Sequence, residues 1–339
     1  MFSFFLLVTK HGARILPRGE TAAFPLVPTV KYSLRVHGLP TRNGTIPVQA
    51  LLDFLTGLTH CAEKGLRLVV EGASVRAGRP PAWLEAATNF ALAGLGRGST
   101  ILEIEAPTLG DLLGDQVRQG DFWLQPPEPD ETALSVVSKS IRDTTAENLE
   151  SDYYDAGVLK SILELKSFFR GREQRVELTS EQRPEENILL SFESVEKAER
   201  LKIRTPEPQT LLVSGLLNRI EHSERRFQLV LSNGKLVPGR IDEEYMTAEG
   251  LREYWGRKVT VRGVVHFRPS GRLQMIAAQE FRPMSAGEEI FEAVPYVQTV
   301  AEFAQEAVRE APTRNWLQNI WGQWPDDEPV ESLLRDTKR

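Results

Sequence analysis

The sequence is poor in the residues that form disulfide frameworks and metal sites. Of its 339 residues, one is Cys, Cys61, and five are His. A single Cys excludes an intramolecular disulfide framework, and so few thiol and imidazole groups leave little material for a zinc site. We therefore expect a cytoplasmic protein in a reducing setting, with no metal and no cofactor.

Long apolar runs are also scarce. The apolar opening over residues 2–8 is much shorter than the roughly 20 residues that a membrane helix needs. It also lacks the basic residues that precede the apolar core of a secretory signal. We interpret it as a buried strand or a loose part of an N-terminal extension over residues 1–30, and we expect no membrane contact.

Hydrophobic periodicity predicts a mixed α/β domain over residues 31–203. Apolar side chains alternate over 31–37, as in a half-buried strand, and then recur at helical spacing from Pro47 to a cap at Gly65. The order of strand, helix, strand, helix and strand is typical of α/β or α+β units. The predicted elements are strand 31–37, helix 47–65, strand 66–72, helix 80–98, strand 99–107, a helical pair over 132–170, and strand-like runs over 172–180 and 186–199.

Residues 207–284 predict a small β-barrel. Three strand-like runs, a short helical candidate over 247–256 and two further strands follow one another, which is the order of the OB-fold. The Asn233-Gly234 pair predicts a tight hairpin turn. Pro238 cannot donate a ladder hydrogen bond, so the third strand should be an edge or bulged there. We therefore expect a barrel that is not fully closed.

The barrel segment is a candidate nucleic-acid interface. Residues 209–283 carry twelve Lys or Arg against eight Asp or Glu, a balance of +4, and OB-folds commonly bind single strands. A solvated basic face is the alternative, because Phe227 and Phe267 are in phase with the core and leave no ring on which bases could stack. The residues that could converge on the ligand face are Arg225, Arg226, Arg240, Arg268 and Arg272.

Catalytic constellations are not apparent in the sequence. His60 and Cys61 have no second Cys or His nearby at chelating spacing, and the acidic run from Asp152 to Asp155 is better explained as a helix cap than as a calcium loop. We therefore predict that the protein is not an enzyme. An enzyme with its site in residues 31–203 is a third hypothesis, which a cavity with several convergent ionisable side chains would favour.

The C-terminal segment 285–339 is acidic and rich in tryptophan. It has eleven Asp or Glu against five Lys or Arg, a balance of −6 that equals the net charge of the whole chain. A helix is predicted from Val297 with Phe303 on its apolar face, and two short amphipathic pieces follow, separated by Pro325. Such pieces are not stable alone, so they need either the protein's own body or a groove on another protein. Their apolar residues are Trp316, Leu317, Ile320, Trp321, Trp324, Val330, Leu333 and Leu334.

A resemblance to a known group covers about the last 130 residues. The pattern WGQWPDDEPVESLL over 321–334, with the barrel-like runs over 213–234 and 259–276, resembles uncharacterised bacterial proteins of toxin–antitoxin loci. Antitoxins of PIN-domain ribonucleases likewise end in an acid-rich tail that contains Trp and wraps the toxin. The resemblance implies that Arg335 reaches the acidic metal site of such a toxin. The residues that it implies contact the toxin are Trp316, Ile320, Trp321, Trp324, Leu333 and Leu334.

The sequence as a whole predicts an α+β chain: an N-terminal mixed α/β domain, an OB-like five-stranded β-barrel over 207–284 and a helical C-terminal tail over 285–339. The leading functional hypothesis is a non-enzymatic, antitoxin-like inhibitor whose tail docks on a protein such as a PIN-domain ribonuclease. The alternative is a nucleic-acid-binding protein that uses the basic face of the OB-like domain.

Overall fold

The chain divides into two units, Met1–Val297 and Gln298–Arg339. The structure is a computed structural model, and it describes residues 5–9, 12–16, 27–38, 45–76, 78–95, 100–113, 127–169, 171, 173–221, 226–241, 249–293, 295–298 and 303.

Seven strands of the described residues form one antiparallel sheet. They are β1 (Phe5–Thr9), β2 (Gly12–Leu16), β3 (Thr29–His37), β4 (Ala91–Leu95), β5 (Thr100–Pro107), β6 (Arg175–Thr179) and β7 (Ile188–Ser191). Their order in the sheet is β2-β1-β4-β5-β3-β6-β7. In β3 the side chains of Val30, Tyr32, Leu34 and Val36 are buried while the intervening ones are not, so one face of the sheet carries the core.

Six α-helices among the described residues accompany this sheet. They are α1 (Val48–Glu71), α2 (Ala82–Ala87), α3 (Gly110–Leu113), α4 (Ala133–Thr145), α5 (Ala156–Glu164) and α6 (Phe192–Arg204). The helix-cap prediction for the acidic run is confirmed, because the Asp155 carboxylate accepts hydrogen bonds from the backbone N–H groups of Gly157 and Val158 at 3.0 and 2.9 Å. We refer to β1–β7 and α1–α6 together as the sheet layer.

Helix α1 is longer than predicted, and the predicted strand over 66–72 is wrong. The helix continues to Glu71 and ends at Gly72, which has a left-handed φ of 79°. Gly65 does not cap it but lies within it, where a Cβ atom would approach a Val136 methyl group of α4 at 3.3 Å. The end of the helix is enclosed by its neighbours, so it has no polar face and its sequence does not show helical periodicity. The buried residues that suggested a strand are Leu66, Leu68, Val69 and Val70.

Two further element predictions are corrected. The predicted helix over 80–98 is short helix α2 followed by strand β4, and the run over 186–199 is strand β7 followed by helix α6. The change from strand β7 to helix α6 occurs at Ser191, because its side chain forms a reciprocal capping box with Ser194. The apolar opening forms a strand, one of the two interpretations given for it, because β1 pairs with β2 and with β4.

The remaining strands form a closed five-stranded barrel, contrary to the expectation of an open one. They are β8 (Gln209–Glu221), β9 (Arg226–Val230), β10 (Leu236–Ile241), β11 (Lys258–Phe267) and β12 (Leu273–Pro283). The order is β10-β12-β11-β8-β9, and pairing of β9 with β10 closes the ring. Pro238 does not open it, because the parallel ladder between β10 and β12 begins one residue later, at Gly239. A 3-10 helix, Glu249–Tyr254, precedes β11.

The buried side chains form two hydrophobic cores. One belongs to the sheet layer and extends from Val30 to Leu201, and the other lies inside the barrel and extends from Val213 to Phe281. Phe227 and Phe267 are buried in the barrel core, as predicted. Among the described residues, no helix combines the length and apolarity needed to cross a bilayer.

Candidate functional site

Arg268 joins the barrel to the sheet layer. It follows β11, its side chain is 13% exposed, and its Nη2 lies 2.5 Å from Oδ1 of Asp152. Its Nη1 also donates to the carbonyl oxygens of Glu150, at 2.8 Å, and of Ser151. Because these acceptors occupy the guanidinium group, Arg268 holds the barrel against the loop before α5.

Arg240 of β10 makes a second contact between the barrel and the sheet layer. Its Nη1 lies 3.7 Å from Oε2 of Glu71, the buried carboxylate at the end of α1. The same oxygen receives Nε of Arg67 at 3.1 Å, and Nη1 of Arg76 lies 3.8 Å away. Three guanidinium groups thus surround one carboxylate, which offsets the cost of removing that charge from water.

The other arginines predicted to bind nucleic acid are distributed around these contacts. Arg226 is buried and lies opposite Arg240 in the register of β9 and β10. Arg272 is half-exposed, and its Nη1 lies 3.4 Å from a carboxylate oxygen of Glu150. Arg225 lies outside the described residues. The structure therefore brings Arg240, Arg268 and Arg272 to the junction with the sheet layer, and the role of the five arginines toward nucleic acid remains a prediction.

The turn between β11 and β12 is held from two sides. On one side, Nε of Arg204 donates to the carbonyl oxygen of Pro269 at 3.1 Å. On the other, the backbone N–H of Val297 donates to the carbonyl of Gly271 at 2.9 Å, and the backbones of Tyr296 and Arg272 form an isolated antiparallel β-bridge. Gly271 has φ 81°, and a Cβ atom there would lie 2.0 Å from the carbonyl oxygen of Val297. The last residues of the first unit thus pack against this turn.

The residues predicted to bind a protein partner all lie outside the described residues. They are Trp316, Leu317, Ile320, Trp321, Trp324, Val330, Leu333, Leu334 and Arg335. In the helix predicted from Val297, Phe303 is described: it is helical and its side chain is 65% exposed.

An apolar surface on the outside of the barrel was missed by the sequence reasoning. Val230 lies opposite Leu216 on one side and Leu236 on the other, so these side chains form a row across β8, β9 and β10. Trp255 lies beside β8, its Nε1 donating to the carbonyl of Asn218 at 3.1 Å, and is 67% exposed. We call Leu216, Val230, Leu236 and Trp255 the barrel patch. Its signal in the sequence is a Trp directly before the turn glycine Gly256, outside the alternating strand pattern.

The sheet layer contains a cavity of about 760 Å³ at the β6–β7 edge. Its size and its ionisable lining meet the condition stated for an enzyme site in residues 31–203, and that hypothesis stays a prediction. The Ser191 hydroxyl in this lining is engaged as the cap of α6, where it accepts the backbone N–H of Ser194. The lining residues are His37, Gly38, Glu173, Arg175, Leu189, Ser191, Phe192, Glu193 and Glu196.

Two buried polar groups in the sheet layer, Tyr32 and Cys61, have structural roles. The Tyr32 hydroxyl donates to Oε2 of Glu186 at 2.7 Å and lies 2.8 Å from Oγ1 of Thr132, the N-cap of α4. Burial, reinforced by Glu186, raises the pKa of Tyr32. Burial also raises the pKa of the Cys61 thiol to about 12, which makes this Cys a packing residue rather than a nucleophile.

His266 of β11 lies where the barrel faces the sheet layer. Burial lowers its pKa below the usual value, and the Asp155 carboxylate partly opposes that effect. The structure places His266 half-buried between the barrel and the sheet layer. It therefore stays neutral under conditions in which an exposed His begins to take up a proton.

Among the described residues, no group of three or more His, Cys, Asp and Glu is arranged to hold a metal ion. No protein-family model, curated protein or solved structure matches this chain.

Proposed function

We propose that this chain is a cytoplasmic, non-enzymatic protein-binding module whose C-terminal segment docks on a partner protein. The observation that carries the proposal is that the two cores are built from described residues between Val30 and Phe281, whereas the tryptophan-rich stripe belongs to the separate unit Gln298–Arg339. Phe303, on the predicted apolar face of that unit, is 65% exposed.

Energetic arguments support a partner for this segment. Covering one large apolar side chain gains about 1.5–3 kcal/mol, and Trp is enriched among the residues that dominate protein interfaces. Helical apolar spacing from Trp316 to Trp324 is suited to insertion into a groove. The acidic balance of the segment favours a basic surface around that groove.

The specific form that we propose is antitoxin-like inhibition of a PIN-type ribonuclease. Its support is the resemblance of the C-terminal pattern over 321–334, together with the helical tail that this pattern predicts. In this proposal the tryptophans anchor the segment, and Arg335 reaches the acidic site of the ribonuclease.

Coexpression with the product of the neighbouring open reading frame tests the proposal. The full chain should recover that product in a pull-down, and a chain ending at residue 311 should not. A triple variant, Trp316→Ala, Trp321→Ala and Trp324→Ala, should behave like the truncation. Gln318→Ala with Gln323→Ala is the matched control on polar positions of the same segment. Equal recovery by the full and truncated chains would refute the role of the tail.

A second candidate function is single-strand binding by the barrel. Numbered in chain order, its strands pair as 1-2-3-5-4-1, with the third and fifth parallel and a 3-10 helix before the fourth. This order supports assignment to the OB-fold, whose members commonly bind oligonucleotides. Charge-driven binding must weaken steeply as salt rises, so a salt titration with a single-stranded oligonucleotide tests this function.

A further inference from the structure

The side chain of Trp255 is exposed and yet held in place. Its Nε1 donates to the carbonyl of Asn218, and the next residue, Gly256, donates its backbone N–H to the carbonyl of Leu217 at 2.9 Å. Gly256 has the left-handed φ of 72° that such a turn requires. A large ring fixed at both its tip and its backbone loses little freedom when a ligand covers it, which favours binding.

The rest of the barrel patch extends the surface sideways from Trp255. Leu216 and Leu236 are 36% and 47% exposed, and Val230 lies between them. Neighbouring strands are about 4.8 Å apart, so the row is about 10 Å wide. That width suits a flat, narrow ligand that lies along the outer wall of the barrel.

Cationic side chains surround the barrel patch. Lys258 lies opposite Leu216 in the register of β11 and β8, and Arg252 and Arg257 flank Trp255 in the chain. All three are exposed, as is Lys235 next to Leu236. Lys258 also pairs with Glu292, Nζ to Oε1 at 2.6 Å, and the described acids of the 249–258 stretch are Glu249 and Glu253. Among the described residues named here, four cations therefore stand against three acids.

We propose that the barrel patch binds single-stranded nucleic acid, with Trp255 as the stacking platform and Arg252 and Arg257 as phosphate contacts. The inference rests on the second function proposed above and moves its site from the five predicted arginines to another part of the barrel. An aromatic ring beside cations is the combination that sequence-tolerant single-strand binders use, because every base has a face to stack and every linkage carries a charge. Trp255 supplies the stacking ring that the sequence analysis did not find.

The test measures anisotropy of a fluorescein-labelled 20-nucleotide oligo(dT) with the full chain over a range of salt concentrations. Trp255→Ala should weaken binding about 5- to 150-fold, the range expected for one lost stacking contact. Trp255→Phe should retain most of the affinity, because a ring remains. The pair Arg252→Ala with Arg257→Ala should reduce the salt slope by about 1.4, at about 0.7 per phosphate contact.

Two control variants separate the site from the function. Arg225→Ala with Arg272→Ala removes cations of the originally predicted face, and Lys160→Ala removes an exposed cation on α5; both should bind like the parent chain. Binding that survives Trp255→Ala but is lost in the variant Arg225→Ala with Arg272→Ala would overturn the inference. That result would still support single-strand binding by the barrel. No binding of oligo(dT) by the parent chain at low salt would remove both. Binding with a flat salt response would also overturn the inference, because it would show that Arg252 and Arg257 make no phosphate contacts.

Discussion

Nη2 of Arg268 and Oδ1 of Asp152 lie 2.5 Å apart, and this ion pair joins the barrel to the loop that precedes α5. The pair is partly shielded from water, with Arg268 13% and Asp152 35% exposed at the side chain. Together with Arg240 at Glu71 and Arg204 at Pro269, it fixes the barrel on the sheet layer. Arg240 and Arg268, two of the cations that predicted nucleic-acid binding, thus hold the barrel against the sheet layer.

Replacing Arg268 should loosen the junction. Arg268→Ala leaves the Asp152 carboxylate and two carbonyl oxygens without their donor, so we expect a loss of about 1.5–3 kcal/mol in the free energy of unfolding. Asp152→Ala should cost less, since its side chain is more exposed. A urea-denaturation double-mutant cycle measures the coupling; full additivity of the two losses would contradict an energetic role for the pair.

Barrel closure makes a specific demand at Gly239. A Cβ atom there would lie 2.1 Å from Cζ of the buried Phe227 ring. Gly239→Ala should therefore lower the free energy of unfolding by about 1–3 kcal/mol through overpacking. Gly171→Ala, where a Cβ meets nothing within 4 Å, is the control. Equal stability of the two variants would contradict the close packing of β10 on Phe227.

The Cys61 thiol should be inert in the folded protein. Its pKa is raised to about 12 by burial, so at neutral pH almost none of it is the reactive thiolate. We expect reaction with an aromatic disulfide reagent to be slow in native buffer and to release one equivalent of thiol rapidly in denaturant. Fast reaction in native buffer would mean that α1 is not buried as described.

His266 should make the protein less stable in mild acid. Its pKa is below the usual 6.5 because of burial, so below about pH 6.5 the unfolded chain binds a proton that the folded chain does not. The free energy of unfolding should fall as the pH drops from about 6.5 and should be insensitive to His266 above that pH. Thermal unfolding of the parent chain and of His266→Gln from pH 5 to pH 8 measures this. Parallel curves would contradict the prediction.

Much of the architecture follows from local pattern, and the errors have common physical causes. Strands β3 and β5 and the barrel strands alternate clearly because one face of each is buried. The end of α1 and the run that forms β7 and α6 do not, since the first is enclosed by neighbours and the second changes structure at a capping Ser191. The cap predicted at Gly65 is wrong because residue type does not distinguish a glycine that lets two helices pack closely from a glycine that ends a helix.

The candidate sites were harder to predict than the fold. Charge alone suggested that Arg240 and Arg268 face a ligand, but their carboxylate partners, Glu71 and Asp152, lie far away in the sequence. Conversely, Trp255 sits in a short helical candidate whose exposure depends on how the chain turns onto β8. Both are properties of tertiary placement, which residue spacing does not encode.

The central claim is that the C-terminal segment provides the binding energy for a protein partner. Isothermal titration of the purified neighbouring gene product with the full chain and with a chain ending at residue 311 measures this directly. Because Trp anchors commonly contribute at least 2 kcal/mol each, we expect removal of the segment to weaken binding by at least about 100-fold. Equal dissociation constants for the two chains would contradict the claim.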